Sequence, residues 1–528
     1  MLFNSHEFLF VFLPATLIGF YLLGRVSRPW AILWLILTSL IFYGWWRPLN
    51  ILIIGPSIII NYLLASFLLR LSQKGDSPGL SRAVLLVGLL FNVAYLGFFK
   101  YADFVSGAVN DAFGAHFVLL HIILPLGISF ITFQKIAFLI DVQAGRVKAF
   151  TFREYCTFVL FFPQLIAGPI VHYREMMPQF AAATCRFDKE NFAVGLTLLF
   201  AGLFKKVVLA DGIAPFITPL YQHSAAGGHT PLLIAWMAAV GFTLQIYFDF
   251  SGYTDMALGL GRFFGIKLPP NFNSPLKASN IIDFWLNWHM TLTRFLTAYI
   301  YNPMVLSMTR RRAAKGRPGY GRNPSVGAFV SLLLVPLITT MFISGLWHGA
   351  GYGFIIWGVI NGVYLVINHG WRGYAAHRFR DRAAYARVMK PVGFVLTFVG
   401  FTLSMIFFRA TTVRSAFDLL KGALGLNGFA LPHGAAAIAA TYGTDIKHAL
   451  MWTAILLVIA LLAPNTLQIL APYEPALGVK PATTAPIIGR LRIPAWGPSL
   501  PWAVAVSAVA MVAVFMLGGP SEFLYWQF

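Results

Sequence analysis

Long apolar runs dominate the pattern of hydrophobic and polar positions along this chain. A helix that crosses a membrane needs about 20 mainly apolar residues, and runs of this kind recur from one end of the sequence to the other. The candidate spans lie near residues 7–24, 30–46, 50–70, 83–99, 117–141, 156–172, 192–220, 232–263, 327–346, 351–369, 391–409, 448–464 and 499–518. The pattern therefore predicts an all-α polytopic membrane protein with about a dozen transmembrane helices. The sequence shows no repeat of fixed period, and this makes a transporter built from internal repeats less favoured.

Two of these stretches carry residues that a plain lipid-facing helix would not tolerate. Residues 124–143 include Lys135 and Asp141, and residues 161–176 include two prolines, a glycine and Gln164. Polar and helix-breaking residues persist at membrane depth only inside protein or beside a water-filled cavity. We therefore expect a polar, partly re-entrant core wrapped by ordinary helices.

Composition strengthens the membrane interpretation. Apolar residues make up 58% of the 528 residues and charged residues only 11%, whereas a soluble domain carries about 25% charged residues. We expect a single integral-membrane domain over residues 1–528. The formal net charge of +21 would suggest nucleic acid in a soluble protein. Here cytoplasmic loops account for it, because no aromatic-basic platform accompanies the charge.

The basic residues also predict sidedness. Clusters at 25–28, 70–82 and 146–153 follow the first, third and fifth predicted spans. Because cytoplasmic loops collect Lys and Arg, this alternation places the N-terminus outside the cytoplasm.

Two denser basic loops, 309–322 and 371–390, should both be cytoplasmic. The segment between them must leave the cytoplasmic side of the membrane and return to it. Its turn, GLWHGAGYG (345–353), is therefore expected deep in the membrane or near the outer face. The loops themselves fit either orientation and lipid-headgroup contact or docking of an anionic substrate.

Twelve histidines are present, and ten of them lie in polar or terminal stretches or near span ends. His289 is different, because it lies beside a polar stripe. Asp283, Asn287, Thr291 and Arg294 recur at i, i+4, i+8 and i+11, which predicts one face of a continuous helix. Neighbouring aromatic residues, including Trp285 and Trp288, cover the rest of that helix. The stripe fits either an interfacial amphipathic helix or the wall of a functional cavity.

His348 lies among Gly345, Gly349 and Gly351, and such small neighbours allow backbone or ligand to approach closely. Histidine changes protonation near neutral pH and can act as a general base that activates a hydroxyl or amine. A packed core histidine is the structural alternative. The sequence contains no G-x-S-x-G, H-E-x-x-H or G-x-x-x-x-G-K-[ST] motif, so serine-hydrolase, zinc and NTPase chemistries are unsupported.

Several long motifs resemble one known family. The run IYFDFSGYTDMALGLGRFFGIKLPPNFNSPLKASNIIDFWLNWHMTLTRFLTAYIYNP (246–303), followed by GLWHGA (345–350), is similar to the membrane-bound O-acyltransferases. The upstream LPLGISFITFQKIAFLIDV and FFPQLIAGPIVHYREMMPQF resemble its bacterial branch. The opening MLFNSHEFLFVFLPA, the length and the closing EFLYWQF favour the alginate-acetylating type over the shorter D-alanyl type. This likeness implies a catalytic core at about 85–410 and additional C-terminal spans at about 411–528.

The resemblance also implies an activity and a site. The family's two signature histidines match His348, in a W-H-G context, and His289, at the end of F-W-x-x-W-H. An acyl group would pass from a cytoplasmic thioester, acetyl-CoA or another donor, to a hydroxyl on the other side. We expect no resident cofactor or metal. The implied partners are membrane lipid, periplasmic acetyltransferase proteins and a polysaccharide acceptor, with no nucleic acid, and the location is the bacterial inner membrane.

Within this hypothesis His348 is the general base or helps to position the acceptor hydroxyl, and His289 orients donor or acceptor with Asp283 and Asn287. The predicted channel lining is Trp285, Trp288 and Trp347. Asp249, which is also a candidate channel residue, and Asp255 either form hydrogen bonds that support the site, or cap helices, or pair with Arg262 or Lys267. O-acetylation of cellulose or peptidoglycan and D-alanyl transfer remain open. A polymer or lipid exporter without chemistry and a scaffold that recruits soluble acetyltransferases are the non-catalytic alternatives.

Overall fold

The structure is a computed structural model that describes residues 1–74, 77–183, 185–321, 324–375, 378–379, 381–480, 487–488, 491–492, 496–519 and 524. It divides into two compact units assembled from non-contiguous segments. The first comprises Met1–Val208, Ser251–Pro270 and Thr466–Gly519, and the second comprises Leu209–Phe250, Asn271–Asn465 and Pro520–Phe528. Of the closing EFLYWQF motif, only Leu524 is among the described residues. The predicted domain boundary near residue 410 stays a prediction.

Helices account for nearly all of the described secondary structure. In the N-terminal half they are α1 Leu13–Val26, α2 Arg28–Gly44, α3 Leu49–Lys74, α4 Pro78–Phe113, α5 Ile128–Gln143, α6 Phe152–Leu160, α7 Phe162–Leu165, α8 Tyr173–Ala182, α9 Lys189–Phe204, α10 Asp211–Ala225 and α11 Leu232–Phe263. In the C-terminal half they are α12 Ile281–Asn287, α13 Met290–Leu296, α14 Asn302–Ala313, α15 Val326–Phe329, α16 Val335–His348, α17 Tyr352–Gly370, α18 Arg382–Arg409, α19 Val413–Ala423, α20 Ala435–Tyr442, α21 Ile446–Leu462, α22 Thr466–Ile469 and α23 Leu500–Phe515.

Shorter elements complete the chain. π-helical turns lie at Phe8–Phe12, Lys205–Ala210, Thr297–Tyr301, Val330–Leu334 and Trp371–Ala375, and 3₁₀ turns lie at Pro275–Lys277 and Ala471–Tyr473. The described strands, β1 Ile487–Ile488 and β2 Leu491–Arg492, form one small antiparallel pair.

The all-α membrane architecture is confirmed, with somewhat fewer spans than predicted. Among the described residues, eight continuous helical segments are long and apolar enough to cross a membrane. They are Phe8–Val26, Leu49–Lys74, Pro78–Phe113, Lys189–Ala225, Leu232–Phe263, Val326–His348, Tyr352–Gly373 and Ala383–Arg409. The bent pair α20–α21, with 82° between its members, makes a possible ninth. The apolar helices α2 and α23 are shorter, at 17 and 16 residues.

Two predicted spans are wrong, and local chemistry explains both. In 117–141 the helix begins only at Ile128, because the preceding loop is tied to α4: Asp103 accepts hydrogen bonds from the amides of Leu120 and Ile122 at 2.6 and 2.8 Å. In 156–172 the chain kinks into α6, α7 and irregular backbone. Gly168 packs so closely on Gln164 that a Cβ there would lie 2.3 Å from its Cα.

The same two stretches confirm the expected polar interior. Most of α5 is buried, including Lys135 and Gln134, each 1% exposed. Lys135 Nζ donates to Ser57 Oγ. Asp141 is also 1% exposed and forms an ion pair with Arg146 at 2.8 Å. These partners allow the Lys135 ammonium and the Asp141 carboxylate to lie inside at tolerable cost.

Within the first unit, the end of α3 and the basic segment after α5 lie side by side. Gln73 Nε2 donates to the carbonyl of Lys148 at 3.5 Å, while Arg47 lies at the opposite end of these helices and donates to the carbonyl of Ile123 at 3.5 Å. Alternating topology requires this arrangement. Which end faces the cytoplasm stays a prediction.

Candidate active site

A sharp backbone turn presents His289. Helix α12 ends at Asn287, Trp288 is extended, and His289 itself is left-handed, with φ 44° and ψ 52°. The prediction of one continuous helix over 280–303 is therefore wrong. Asp283 and Asn287 belong to α12, while Thr291 and Arg294 belong to α13, so the four residues do not share one helical face. A non-glycine residue held at positive φ marks a conformation that its surroundings enforce.

Asn271, which the sequence analysis missed, enforces this turn. Its carbonyl accepts from the Met290 amide at 2.9 Å, and its side-chain Oδ1 accepts from Thr291 N and Oγ1 at 3.2 and 2.6 Å. Asn273 adds a backbone bond to the Asn287 carbonyl at 3.1 Å. The Pro- and Asn-rich run PPNFNSP was a signal for a turn, but nothing local linked that turn to His289.

The hydrogen bonds around Asn271 also define the tautomer of His289. An amide N–H can only donate, so the Asn271 atom facing Thr291 N must be oxygen. His289 Nδ1 lies 3.3 Å from the same oxygen, so Nδ1 carries the proton and Nε2 carries the lone pair. Burial lowers the pKa of His289 to about 3, because the surroundings solvate the imidazolium poorly. The ring is neutral at pH 7 and its Nε2 can accept a hydrogen bond.

His348 is the last residue of α16, immediately before the Gly349–Gly351 turn into α17. The close approach predicted for its glycines is confirmed, and α17 is the element that approaches. A Cβ on Gly345 would lie 2.3 Å from the Phe354 carbonyl oxygen, and a Cβ on Gly358 would lie 2.4 Å from the Met341 carbonyl oxygen. Backbone-to-backbone packing of this kind fixes the end of α16.

The structure brings the two histidines together. Their ring centroids are 6.4 Å apart, and both residues are buried, at 1% and 7% exposure. At this separation one small polar group could lie within hydrogen-bond distance of both rings.

Aromatic side chains enclose the pair. Phe250 lies edge-on to His289 at 4.7 Å, and Trp347 lies 5.8 Å from the same ring. Trp357 and Phe408 lie 5.0 and 5.2 Å from the ring of His348. Phe250, Trp357 and Phe408 were missed, because aromatic residues in apolar helices give no sequence signal that separates a site wall from ordinary core.

Two of the three predicted channel tryptophans lie close to this centre. Trp347 contacts both imidazoles, and Trp285 lies 5.7 Å from Trp357. Nε1 of Trp285 and Nε1 of Trp357 are buried donors without a hydrogen-bond partner among the described residues. Trp288 instead stacks on Phe284 at 5.5 Å. Buried indole N–H groups usually have a partner, so these two can bind a polar substrate.

The predicted polar residues of α12 have local partners. Asn280 caps α12 by accepting from the Asp283 amide at 3.0 Å, and its amide also donates to the Asp283 carboxylate. Asn287 Nδ2 donates to the Asp283 carbonyl at 2.8 Å. Both residues stabilise the helix that precedes His289, and their direct role toward substrate stays a prediction.

The two α11 aspartates have different surroundings. Asp249 is 1% exposed and directly precedes Phe250, which contacts His289. Asp255 forms an ion pair with Lys205 at 2.6 Å and accepts from Thr466 Oγ1 at 2.8 Å. The suggested pairing of Asp255 with Arg262 or Lys267 is therefore wrong. Those cations lie against Glu190 and Glu474.

Comparison with known proteins decides the family. Residues 40–317 match the model of MBOAT, the membrane-bound O-acyltransferase family. The chain belongs to the membrane-bound O-acyltransferase family. The match covers Asn271 and His289 and ends before His348, whose assignment rests on the W-H-G motif.

Among named members of this family, similarity is high and extends over most of the chain. The peptidoglycan O-acetyltransferase of Helicobacter pylori is 40% identical over 461 residues, which cover 82% of this chain and 81% of that protein. The probable alginate O-acetylase AlgI of Pseudomonas aeruginosa is 35% identical over 426 residues, covering 80% and 74%. The teichoic acid D-alanyltransferase of Streptococcus thermophilus is 29% identical over 294 residues, covering 54% and 68%. The protein is an O-acyltransferase, and the predicted enzyme class is confirmed.

Proposed function

We propose that this enzyme passes an acetyl group from a cytoplasmic thioester, across the inner membrane, to hydroxyl groups of an exopolysaccharide such as alginate. The observation that carries the proposal is the pair of buried imidazoles with ring centroids 6.4 Å apart. An acceptor bound between them would give the proton of its attacking hydroxyl to one ring, while a second donor group of the same acceptor would hydrogen-bond to the other ring and orient it.

In the proposed reaction, His348 accepts the proton of the acceptor hydroxyl as its oxygen attacks the thioester carbonyl carbon. The carbon–sulfur bond then breaks, and the proton passes to the departing thiolate, so that an ester and a free thiol result. His289 Nε2 accepts a hydrogen bond from a second donor group of the acceptor, next to the attacking hydroxyl, and so orients it, because Nδ1 is directed at Asn271. The indole N–H groups of Trp285 and Trp357 are suitable donors for developing charge on the carbonyl oxygen. Acetyl-CoA or another acyl thioester is a substrate here, and no resident cofactor is proposed.

The acceptor is reached in one of two ways, directly or through a partner. We propose that periplasmic acetyltransferase proteins receive the acetyl group and complete its transfer to the polymer. The two basic loops at 309–322 and 371–390 support a cytoplasmic location for these segments, and hence a donor that approaches from that side.

A second acceptor is favoured by one specific observation. The H. pylori relative, named for peptidoglycan, is more similar to this chain than the P. aeruginosa relative named for alginate, at 40% against 35% identity. Both polymers offer sugar hydroxyls outside the cytoplasm, so the same chemistry would serve either.

The decisive experiment measures ester-linked acetate separately on purified sacculi and on extracellular polysaccharide. The strains compared lack the gene, carry it, or carry His348→Ala. We expect acetate on one polymer to disappear in the deletion strain and in the His348→Ala strain while polymer secretion continues. Polymer retained inside deletion cells would instead indicate an exporter, and full acetylation by His348→Ala would indicate a scaffold.

A further inference from the structure

A cavity that neither histidine lines lies in the second unit, between α17 and α18. It has a volume of 1020 Å³, which is at the upper end of the range for small-molecule pockets. The start of α12, at Ser279–Ile281, closes one side. Gly393 allows this approach, because a Cβ there would lie 2.2 Å from the Ser279 carbonyl oxygen.

The cavity is amphipathic along its length. Its basic end is formed by Arg372 and Lys390, and none of its described lining residues is acidic. Asp381, the nearby carboxylate, is engaged in capping α18 through the amides of Ala383 and Ala384. Most of the remaining lining is apolar or aromatic, including Tyr364 and Leu396, and its uncharged polar members are Ser279, Asn280, Asn368 and Thr397. The chemistry suits a ligand with an anionic head and a long apolar tail.

The depth of the apolar part matches one leaflet of a bilayer. From Lys390 to Gly400 the lining follows α18 over about 15 Å, at 1.5 Å per residue. Half of a hydrocarbon core of about 30 Å has the same thickness. Ile367 and Leu396 are 62% and 64% exposed, so the cavity opens sideways toward lipid.

Aromatic residues fix the basic end at an interface. Trp371 Nε1 donates to Tyr385 Oη at 2.7 Å, which joins the end of α17 to the start of α18, and Phe379 packs on Tyr385 at 4.7 Å. Trp and Tyr concentrate where headgroups meet hydrocarbon. These residues belong to the basic loop predicted to be cytoplasmic, where the leaflet carries anionic lipid.

We propose that this cavity is a binding site for one anionic glycerophospholipid of the adjacent leaflet. The phosphate lies between Arg372 and Lys390, and an acyl chain lies along Val392, Leu396 and Gly400. A thioester donor would present a similar phosphate and chain. We favour phospholipid, because the lateral opening admits a molecule from the bilayer and the apolar walls offer a polar thioester few partners. The inference does not rest on the proposed function.

The experiment uses full-length protein, purified and delipidated in detergent, and follows retention of phosphatidylglycerol and phosphatidylcholine by native mass spectrometry. We expect phosphatidylglycerol to be retained preferentially. Arg372→Gln or Lys390→Gln should weaken its binding about fivefold, and the double variant about 25-fold. Arg311→Gln, which removes an exposed arginine from the other basic loop, is the matched control and should change nothing.

Two further measurements test the proposal: lipid retention by a variant of the apolar part, and competition with acetyl-CoA. Leu396→Trp should reduce retention of phosphatidylglycerol by filling the apolar part while leaving both cations in place. Equal retention of the two lipids, or unchanged binding in the double variant, would overturn the proposal. Displacement of phosphatidylglycerol by acetyl-CoA at equal concentration would overturn it too, by assigning the cavity to the donor.

Discussion

The two histidines of the site are held in contrasting ways. His348 ends a long apolar helix whose neighbour crosses it at Gly345 and Gly358, with backbone meeting backbone. His289 lies in a left-handed turn between two seven-residue helices. One imidazole is positioned by packing of spans, and the other by hydrogen bonds to a single asparagine. Two residues of one site can therefore be positioned by different means. Extensive helix packing holds His348, whereas the position of His289 depends on a few hydrogen bonds.

The largest expected effect comes from His348→Ala. Loss of a general base costs about 10²- to 10⁴-fold in rate, so acetyl transfer by the protein in nanodiscs should fall by that factor while the unfolding midpoint stays near that of the wild type. His433→Ala, at an exposed histidine, is the matched control. Transfer by His348→Ala near the wild-type rate would show that His348 is not the general base. The contrast between the two histidines would then have no bearing on catalysis.

Asn271→Ala tests the hydrogen-bonded support of His289. The variant leaves buried donors of Thr291 and His289 without their acceptor, each at a cost of about 1–3 kcal/mol. We expect kcat to fall about 10- to 100-fold, because misplacement by about 1 Å has that effect.

The control for this prediction is Asn465→Ala, which removes an amide that donates to Asn273 and Ser274 in the same loop. It should leave kcat almost unchanged. An equal loss in both variants would mean that general loop order, rather than the His289 turn, is what Asn271 supplies.

Gly345→Ala tests the packed support of His348. The added methyl would meet the Phe354 carbonyl oxygen at 2.3 Å, so the two helices must separate, at about 1–3 kcal/mol. Thermal unfolding in detergent should occur at a lower temperature. Gly97→Ala in α4, where nothing lies within 4 Å of the new methyl, should be neutral or slightly stabilising. Similar destabilisation by the two substitutions would mean that the close packing of α16 on α17 at Gly345 makes no special contribution to stability.

The smallest effect concerns pH. The pKa of His289 is lowered by burial to about 3 from an unfolded value of about 6.5, so the unfolded state binds more protons as pH falls below 6.5. Stability is therefore full above that pH and declines below it. Between pH 7.5 and 6 the loss should be about 0.8 kcal/mol. His289→Asn, which tolerates the left-handed turn, should lack this component in denaturant titrations at the two pH values. An identical pH response would contradict the neutral, buried imidazole.

Much of the fold was predictable, because membrane insertion imposes a length rule on apolar runs. Runs such as 232–263 and 391–409 lie in helices that are long and apolar enough to span a membrane. The rule failed at 117–141, where hydrogen bonds from Asp103 hold the first half as a loop. Average hydropathy cannot register a carboxylate that accepts hydrogen bonds from backbone amides 17 and 19 residues away.

The two histidines of the site also differ in how far their surroundings could be predicted from the sequence. Glycine neighbours and a W-H-G motif identified His348, and the close helix packing around it follows from residue size alone. His289 was identified by its motif and by polar neighbours. The helical periodicity of those neighbours was misleading, because the break at Trp288 depends on Asn271, at a sequence separation of 18 from His289. Tertiary hydrogen bonds of this kind override local propensity.

The hydrogen bonds between Asn271 and residues 290–291 close a short loop, and this affects the order in which the site forms during synthesis. A short loop costs little entropy to close, so the His289 turn can form as soon as residues 271–291 have been synthesised. The second imidazole arrives only after α16 has been made, and its wall is complete only when Phe408 follows. A nascent chain therefore holds one member of the candidate pair in place before the other exists, and we expect a ribosome-bound fragment ending before α16 to be inert.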